Sequence, residues 1–305
     1  MPDADPASAA ADRDVVIPRS FRDMESGWPG GKRWLADLPR LMRSQCAKWE
    51  LSISGQLMHG SNAVVLPVTR ADGKFALRLA RPGSPVGEEI RALEFWAGRG
   101  TVELVAADPR NGAMLLELLA GHDSLAARPV AEAMPLLGQM MRRLAVPAPA
   151  WAPSTATLAG RRSAELEPEW RRLHEPFDRV ILAEALQVSA GLRATDSDLA
   201  VNGDLHSEQV LRGVREPWLA VDPVLLRGDI EYDLARILWT RIDDMPGAPE
   251  ITAHFGAVVQ EAGVERDRAR DWVVFRTVDY WLWGLAAGFT EDPPRCQRLV
   301  AAFLS

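Results

Sequence analysis

Strand signals in this chain crowd between Leu51 and Leu119, and one helical segment interrupts them. Leu51 and Ile53 alternate with Ser52 and Ser54. After the small-residue turn Met58-His59-Gly60-Ser61-Asn62 comes the apolar run Ala63-Val64-Val65-Leu66-Pro67-Val68. Ala71-Asp72-Gly73 is a hairpin signal, leading into Phe75-Ala76-Leu77-Arg78-Leu79. A helix is predicted over residues 88–96, apolar at Ile90, Leu93 and Trp96. Strands over 102–107 and 113–119 then flank the turn Asp108-Pro109-Arg110-Asn111-Gly112. Short strands joined by tight turns predict a small antiparallel sheet with one main helix.

The flanking sequence is helical. Trp34, Leu35, Leu38, Leu41 and Met42 recur at helical spacing within residues 18–50, with Pro39 near an early turn. Past Gly121, helices are predicted over 130–144, 165–173, 179–192, 234–241, 249–261 and 267–289, with a short closing helix. The Pro-rich segment 146–153 is a linker. The chain therefore divides into a disordered tail over 1–17, an N-terminal helix and small lobe over 18–119, and a mainly helical large lobe over 120–305. The fold class is α+β.

Composition excludes several functions. Apolar content of 47% and charged content of 25% suit a globular soluble chain of 305 residues. No apolar run reaches about 18 residues, so no membrane span or membrane partner is expected. The formal charge of −7 argues against a nucleic-acid surface and is compatible with a cationic small molecule. The acidic start has no export-signal pattern. Cys46 and Cys296 lie far apart without metal-ligand spacing, as reduced thiols in a cytoplasmic protein would.

The chemistry concentrates between Val201 and Arg236. Asp204 sits in the turn Asn202-Gly203-Asp204, Gln209 follows five residues later, and a hairpin through Trp218-Leu219-Ala220-Val221 delivers Asp222. A carboxylate, an amide, and a carboxylate ending the next strand form the layout of a phosphoryl-transfer site. The first carboxylate orients a hydroxyl, while the amide and second carboxylate hold Mg²⁺. Asp222 closes an apolar strand, where a bare carboxylate is costly without a partner such as a cation. Asp229 and Asp233 each follow a turn or start a helix, and either caps amides or braces the loop. His206 reads as a loop brace in preference to a general base. Gly60-Ser61-Asn62 is either a turn whose amides face phosphates or a plain hairpin turn. Arg78 and Glu89 form either an ion pair aimed at phosphates or ordinary surface charge. Asp279, on an otherwise apolar helix, either pairs with Arg276 or lines a pocket. Trp281 and Trp283 are core residues, unless one stacks on a ligand.

The sequence resembles the aminoglycoside and hydroxyurea antibiotic kinases, most of all their streptomycin 6-kinase group. The resemblance runs from about Trp34 to the C-terminus. It rests on Trp49-Glu50-Leu51, Met58-His59-Gly60, Arg70-Ala71-Asp72-Gly73, Trp96-Ala97-Gly98-Arg99-Gly100, Glu216 through Pro223, Gly228-Asp229, Tyr232-Asp233, and Val278 through Leu285 with Thr290-Glu291-Asp292-Pro293. It implies a protein-kinase-like fold of two lobes and an ATP-dependent O-phosphotransferase, with GTP as the other nucleotide. The implied acceptor is a small polyhydroxylated or cationic antibiotic, streptomycin-like in the favoured case, and the implied state is monomeric. Asp204 would then be catalytic, and Gln209 with Asp222 would hold Mg²⁺. Arg78, Glu89, Ser61 and Asn62 would bind the phosphates, and Glu117, Leu118 and Leu119 would cradle the adenine. Glu231, Asp243, Asp244, Asp279 and Trp281 are the acceptor-site candidates. Three positions depart from the family pattern: Arg78 replaces a lysine, Asn202 a histidine and Gln209 an asparagine. Arginine is not equivalent to lysine at a fixed site, and Gln209 carries one methylene more. A nucleoside-antibiotic kinase, or a kinase fold that binds without turnover, is the alternative.

Overall fold

The computed structural model describes residues 15–195 and 197–304. The expected tail over 1–17 lies mostly outside the described residues. The chain separates into two compact units that divide between Leu119 and Ala120.

The first unit begins with α1 (Arg19–Ser26) and α2 (Gly31–Lys48). Pro39 falls inside α2, well past its first turn. The helix tolerates the lost N–H because Trp34, Leu38, Met42 and Cys46, spaced by fours, are all buried. The sheet follows as β1 (Ser52–Ile53), β2 (Met58–His59), β3 (Ala63–Arg70) and β4 (Gly73–Ala80). Next come α3 (Val86–Trp96), β5 (Leu104–Asp108) and β6 (Ala113–Glu117). The order across the sheet is β1-β3-β4-β6-β5, with β2 also on β3, and each pairing is antiparallel. β3 and β4 pair without a slip from Ala63↔Ala80 to Arg70↔Gly73. The inward residues Val64, Leu66, Val68, Leu77, Leu79 and Leu115 form one core with Phe21, Trp34, Leu38 and Met42. This period-two burial puts Leu77 and Leu79 on the core side and sends Arg78 to the other face.

The second unit opens with a strand absent from the sequence reading. β7 (Ala120–Ser124) pairs with β9 (Val210–Arg212), which in turn pairs with β10 (Trp218–Ala220). The sequence Ala-Gly-His-Asp-Ser lacks the apolar alternation of a strand, so only its long-range partner gives it that form. α4 (Val130–Leu144) matches expectation, whereas α5 (Thr155–Arg172) begins ten residues before the predicted start at Glu165. Ser154 caps it, its side-chain oxygen accepting the Thr157 N–H at 3.4 Å. α6 (Arg179–Leu192) is likewise capped by Asp178, whose carboxylate accepts the Val180 N–H at 2.9 Å. β8 (Leu199–Val201) pairs antiparallel with β11 (Leu226–Gly228), and a 3₁₀ turn (Ile230–Asp233) leads into α7 (Leu234–Trp239). α8 (Ala248–Ala262), α9 (Arg266–Ala286) and α10 (Asp292–Leu304) complete the unit. Trp272, Phe275, Val278 and Leu282 of α9 meet Leu166, Trp170, Leu182 and Leu192 in one core.

Candidate functional site

β8 ends at Val201, and the chain enters the turn Asn202-Gly203-Asp204. Gly203 has φ +79°, and a Cβ there would lie 2.7 Å from the Val224 carbonyl oxygen, so glycine is required. Asn202 Oδ1 accepts the Asp204 N–H at 3.2 Å, while the Asn202 carbonyl accepts the Val224 N–H at 2.8 Å. The asparagine that departs from the family pattern is therefore itself a brace of the turn. Asp233 adds to this bracing: the backbone of Gly203 and Leu205 favours its carboxylate form, although its Oδ1 has no hydrogen-bond partner among the described residues. Burial pushes the Asp233 carboxyl up to about 7, although Arg276 and those backbone groups oppose the rise. His206 is buried too, and burial with the Arg236 charge holds its imidazole down at about 3. Near neutral pH it is uncharged.

Asp204 has a defined partner on each oxygen. Oδ1 lies 2.8 Å from Arg236 Nε, and Oδ2 accepts a hydrogen bond from Gln209 Nε2 at 3.2 Å. The Arg236 N–H is not aimed at Oδ1, so that contact is an ion pair more than a hydrogen bond. Burial raises the Asp204 carboxyl, while Arg236, Arg276 and Gln209 pull it back. Arg276 lies flat over the Tyr232 ring, 3.7 Å from its centre. Arg236 thus contacts the candidate catalytic carboxylate and Arg276 acts on it through its charge, and the sequence reading identified neither in that role. The signal for Arg236 was present: Asp233 and Arg236 are three apart across the start of a helix, so one braces the loop while the other reaches its carboxylate.

The hairpin of β9 and β10 aligns the metal candidates. Ala220 pairs with Val210, and the Val221 N–H donates to the Gln209 carbonyl at 2.8 Å, bringing Asp222 beside Gln209. Asp222 adopts φ +50°, a left-handed conformation sparsely populated by residues other than glycine. Gln209 Oε1 is buried and has no donor among the described residues. An orphaned amide oxygen costs about 1–3 kcal/mol, and a cation is the partner that removes the cost. Among the described residues, no three His, Cys, Asp or Glu side chains gather into a complete metal cage. The amide oxygen and carboxylate fit Mg²⁺, an ion that takes one or two protein oxygens and completes its shell with phosphate and water.

In the first unit, Arg78 of β4 is 3% exposed, and its Nη2 lies 3.1 Å from Glu89 Oε2 in the first turn of α3. A pair so enclosed is not ordinary surface charge. Ser61 and Asn62 form the turn between β2 and β3, where the Asn62 carbonyl accepts the Arg81 N–H at 2.9 Å. Glu117 closes β6, its N–H donating to the Glu103 carbonyl at 2.9 Å, and Leu118 and Leu119 follow half-buried.

The acceptor candidates do not converge. Asp279 is nearest in electrostatic terms, since Arg276 acts on it as on Asp204 and Asp233. It pairs not with Arg276 but with Arg162, at 2.7 Å, and that arginine also meets Glu165 and Glu169. Three carboxylates around one guanidinium leave the cluster negative. Trp281 is buried with its ring centre 4.5 Å from that of Phe177. Asp243 pairs with Arg295 and Arg298 at 2.7 and 3.1 Å. Asp244 pairs with Arg241, which also donates to the carbonyls of Leu125 and Arg128. Both serve as staples. Glu231 lines a cavity that does not include Asp204. Asp229, the other expected brace, accepts from Thr195, from Arg268 Nε at 2.8 Å and from Trp272 Nε1 at 2.8 Å, which ties the end of β11 to α9.

A family profile described as aminoglycoside/hydroxyurea antibiotic resistance kinase matches residues 48–288. The chain is 33% identical over 279 residues to a streptomycin 6-kinase of Streptomyces glaucescens, covering 89% of this chain and 91% of that one. It is 33% identical over 288 residues to a hydroxyurea phosphotransferase of Kitasatospora aureofaciens, with 92% and 84% covered. Among solved structures, the choline kinase LicA of Streptococcus pneumoniae superposes with a TM-score of 0.63 at 12% identity, over 88% of this chain and 99% of that one. A thermostable mutant of the aminoglycoside phosphotransferase APH(4)-Ia, in a ternary complex with ADP and hygromycin B, superposes with a TM-score of 0.59 at 14% identity, over 85% and 97%. The fold is therefore protein-kinase-like, with an antiparallel-sheet N-terminal part and a mainly helical C-terminal part.

Proposed function

The chain belongs to the aminoglycoside/hydroxyurea antibiotic resistance kinase family and is a small-molecule kinase, and from that premise we propose that it phosphorylates a hydroxyl of a streptomycin-like aminoglycoside at the expense of ATP. The observation that carries the site assignment is the Asp204–Gln209 pair: the amide N–H is given to the carboxylate, and the amide oxygen is left buried without a donor. Asp204 positions the acceptor hydroxyl. The acceptor oxygen bonds to the γ-phosphorus, the bond from phosphorus to the ADP oxygen breaks, and the hydroxyl proton passes to Asp204. Because such transition states are loose, orientation matters more here than basicity. Gln209 and Asp222 hold Mg²⁺, which when bound would neutralise phosphate charge. Arg78, fixed by Glu89, contacts the nucleotide phosphates together with the Ser61-Asn62 turn, and the backbone over Glu117-Leu118-Leu119 cradles the base. Asp279 and its neighbouring carboxylates are the candidates for a cationic acceptor. The same reading makes the protein a cytoplasmic monomer without nucleic-acid or membrane partners. Among the described residues, no helix is long and apolar enough to cross a membrane.

The hydroxyurea phosphotransferase similarity favours a second acceptor, hydroxyurea. Phosphate transfer from ATP to a panel containing streptomycin, hygromycin B and hydroxyurea, with magnesium present, tests both. Transfer to streptomycin is expected, and transfer to hydroxyurea alone would replace that acceptor with the second. Asp204→Ala should reduce transfer at least 10³-fold (an order-of-magnitude figure for a group positioning the nucleophile) while nucleotide binding stays within about twofold. Retained turnover would remove Asp204 from its role.

A further inference from the structure

A cavity of about 660 Å³ opens in the second unit, lined in part by Leu199, Ile230, Glu231, Ala262, Val264 and Glu265. That volume is in the range that holds small organic ligands, about 300–1,000 Å³. It does not contain Asp204, Gln209 or Asp222. The β8–β11 register explains why. Leu226 faces Val201 at the end from which the Asp204 turn emerges, whereas Gly228 faces Leu199 at the opposite end, where the cavity lies. Glu231 and Asp233, two residues apart in the 3₁₀ turn Ile230–Asp233, then have different charged neighbours. Asp233 feels the charges of Arg276 and Asp204, while Glu231 feels Asp229, Arg268 and Glu265.

Glu231 is the feature that needs an explanation. It is 8% exposed, yet among the described residues no side chain hydrogen-bonds or ion-pairs with it; its own backbone N–H is its one polar contact. The nearby Arg268 is already committed, at 2.5 Å to Asp229 and 2.8 Å to the Ala194 carbonyl. The cavity wall is mixed, with Arg142 and Arg268 as well as Asp229 and Glu265 beside its apolar residues, and a buried carboxylate without a direct partner is costly there. Burial first, then Asp229 and Glu265, raise its carboxyl above the ordinary range. We propose that this cavity binds a small aliphatic amine, its ammonium group on Glu231 and its methylenes against Leu199, Ile230, Ala262 and Val264, at a site separate from the transfer site. A lone cation fits less well: only Glu231 and Glu265 would supply free carboxylates, and no group of three His, Cys, Asp or Glu suited to a metal occurs among the described residues. An ammonium needs one carboxylate and some apolar lining, and the cavity offers both, with Arg268 neutralised by Asp229 and Arg142 exposed.

The test is calorimetric titration of the full-length protein with 1,5-diaminopentane at 0.15 M salt, a concentration that screens diffuse attraction to an acidic surface. Saturable binding at one site is expected, weakened at least tenfold by Glu231→Gln and less by Glu231→Asp. Asp204→Asn should leave it unchanged. Val264→Trp, which fills the cavity without touching the carboxylate, should abolish it and covers the case in which a change at the buried Glu231 disturbs folding. Absence of saturable binding at millimolar amine, equal affinity in Glu231→Gln and Val264→Trp, or loss of binding in Asp204→Asn would each overturn the proposal. The last outcome would place the amine in the acceptor site. Kinase turnover is not a readout, so failure here is separable from failure of the streptomycin reading.

Discussion

Asp204 is pulled in two directions. Burial favours its neutral form, and two guanidinium groups with one amide N–H favour the carboxylate. Arg236 is the closer cation, at 2.8 Å, so it both orients the side chain and keeps it ionised. Arg236→Met should lower kcat on the order of 10²-fold, within the range for a group acting on a general base, with nucleotide affinity little changed. The acid limb of the pH–rate profile should move to higher pH, because the removed cation was lowering the Asp204 pKa. An unmoved limb would mean that Arg236 only packs there. The individual carboxylates and Gln209 could be singled out from the sequence, because the two ends of a short hairpin present them five and then thirteen residues apart. Arg236 and Arg276 could not. Arginine on a helix is ordinarily solvated, and only the tertiary structure brings Arg236 of α7 into contact with Asp204 and Arg276 of α9 near enough for its charge to act there.

The loop from Asn202 to Gln209 is an element whose stability depends on two opposed titrations. Asp233 has a folded pKa raised to about 7, so its contribution is present below its unfolded value near 4 and is lost as pH rises through 7. His206 has a folded pKa depressed to about 3, so its contribution is present above its unfolded value of 6.5 and is lost as pH falls toward 3. Across the window between, acidification gains from Asp233 what it loses from His206. Measured by urea denaturation at pH 5 and pH 7.5, His206→Gln should become more stable relative to the parent as pH falls, and Asp233→Asn less stable. Parallel pH dependences in all three proteins would show that neither group titrates as assigned. At this scale the sequence was informative where periodicity was strong, as for α6 and the β3–β4 hairpin. It was silent on β7, whose polar residues become a strand only because β9 supplies a partner, and late on α5, whose first turns lack an apolar stripe and depend on the Ser154 cap.

For the molecule as a whole, each unit has its own core, one built of sheet and α1–α2, the other around α9. Binding to the native state stabilises by about 2.7 kcal/mol at a ligand concentration a hundred times Kd, which for a unit of this size raises Tm by roughly 5 °C or more. ATP with magnesium should therefore raise the melting temperature, and chelation by EDTA should remove much of the rise. An equal shift with and without magnesium would dissociate Gln209 and Asp222 from metal binding. Adding Asp222→Asn should reduce the magnesium-dependent part alone.

Alternation, turn residues and helical spacing are local properties, and they determined from the chain itself an α+β protein with an N-terminal helical segment, then its sheet, then its remaining helices; they also led to the expectation of a phosphoryl-transfer layout from Asp204 to Asp222. Those features need only neighbours in sequence to be expressed. Which carboxylates share an electrostatic environment is a different matter, because charge interactions depend on distance in space. Tertiary structure alone decided that Asp233 braces the Asn202-Gly203-Asp204 turn, that Asp243 and Asp244 are bound up in ion pairs, and that Glu231 lines a cavity without Asp204. It also decided that the Gln209 amide oxygen is buried without a donor among the described residues. Two residues of a 3₁₀ turn, Glu231 and Asp233, look alike in the sequence; the fold gives one a cavity and the other the Asn202-Gly203-Asp204 turn.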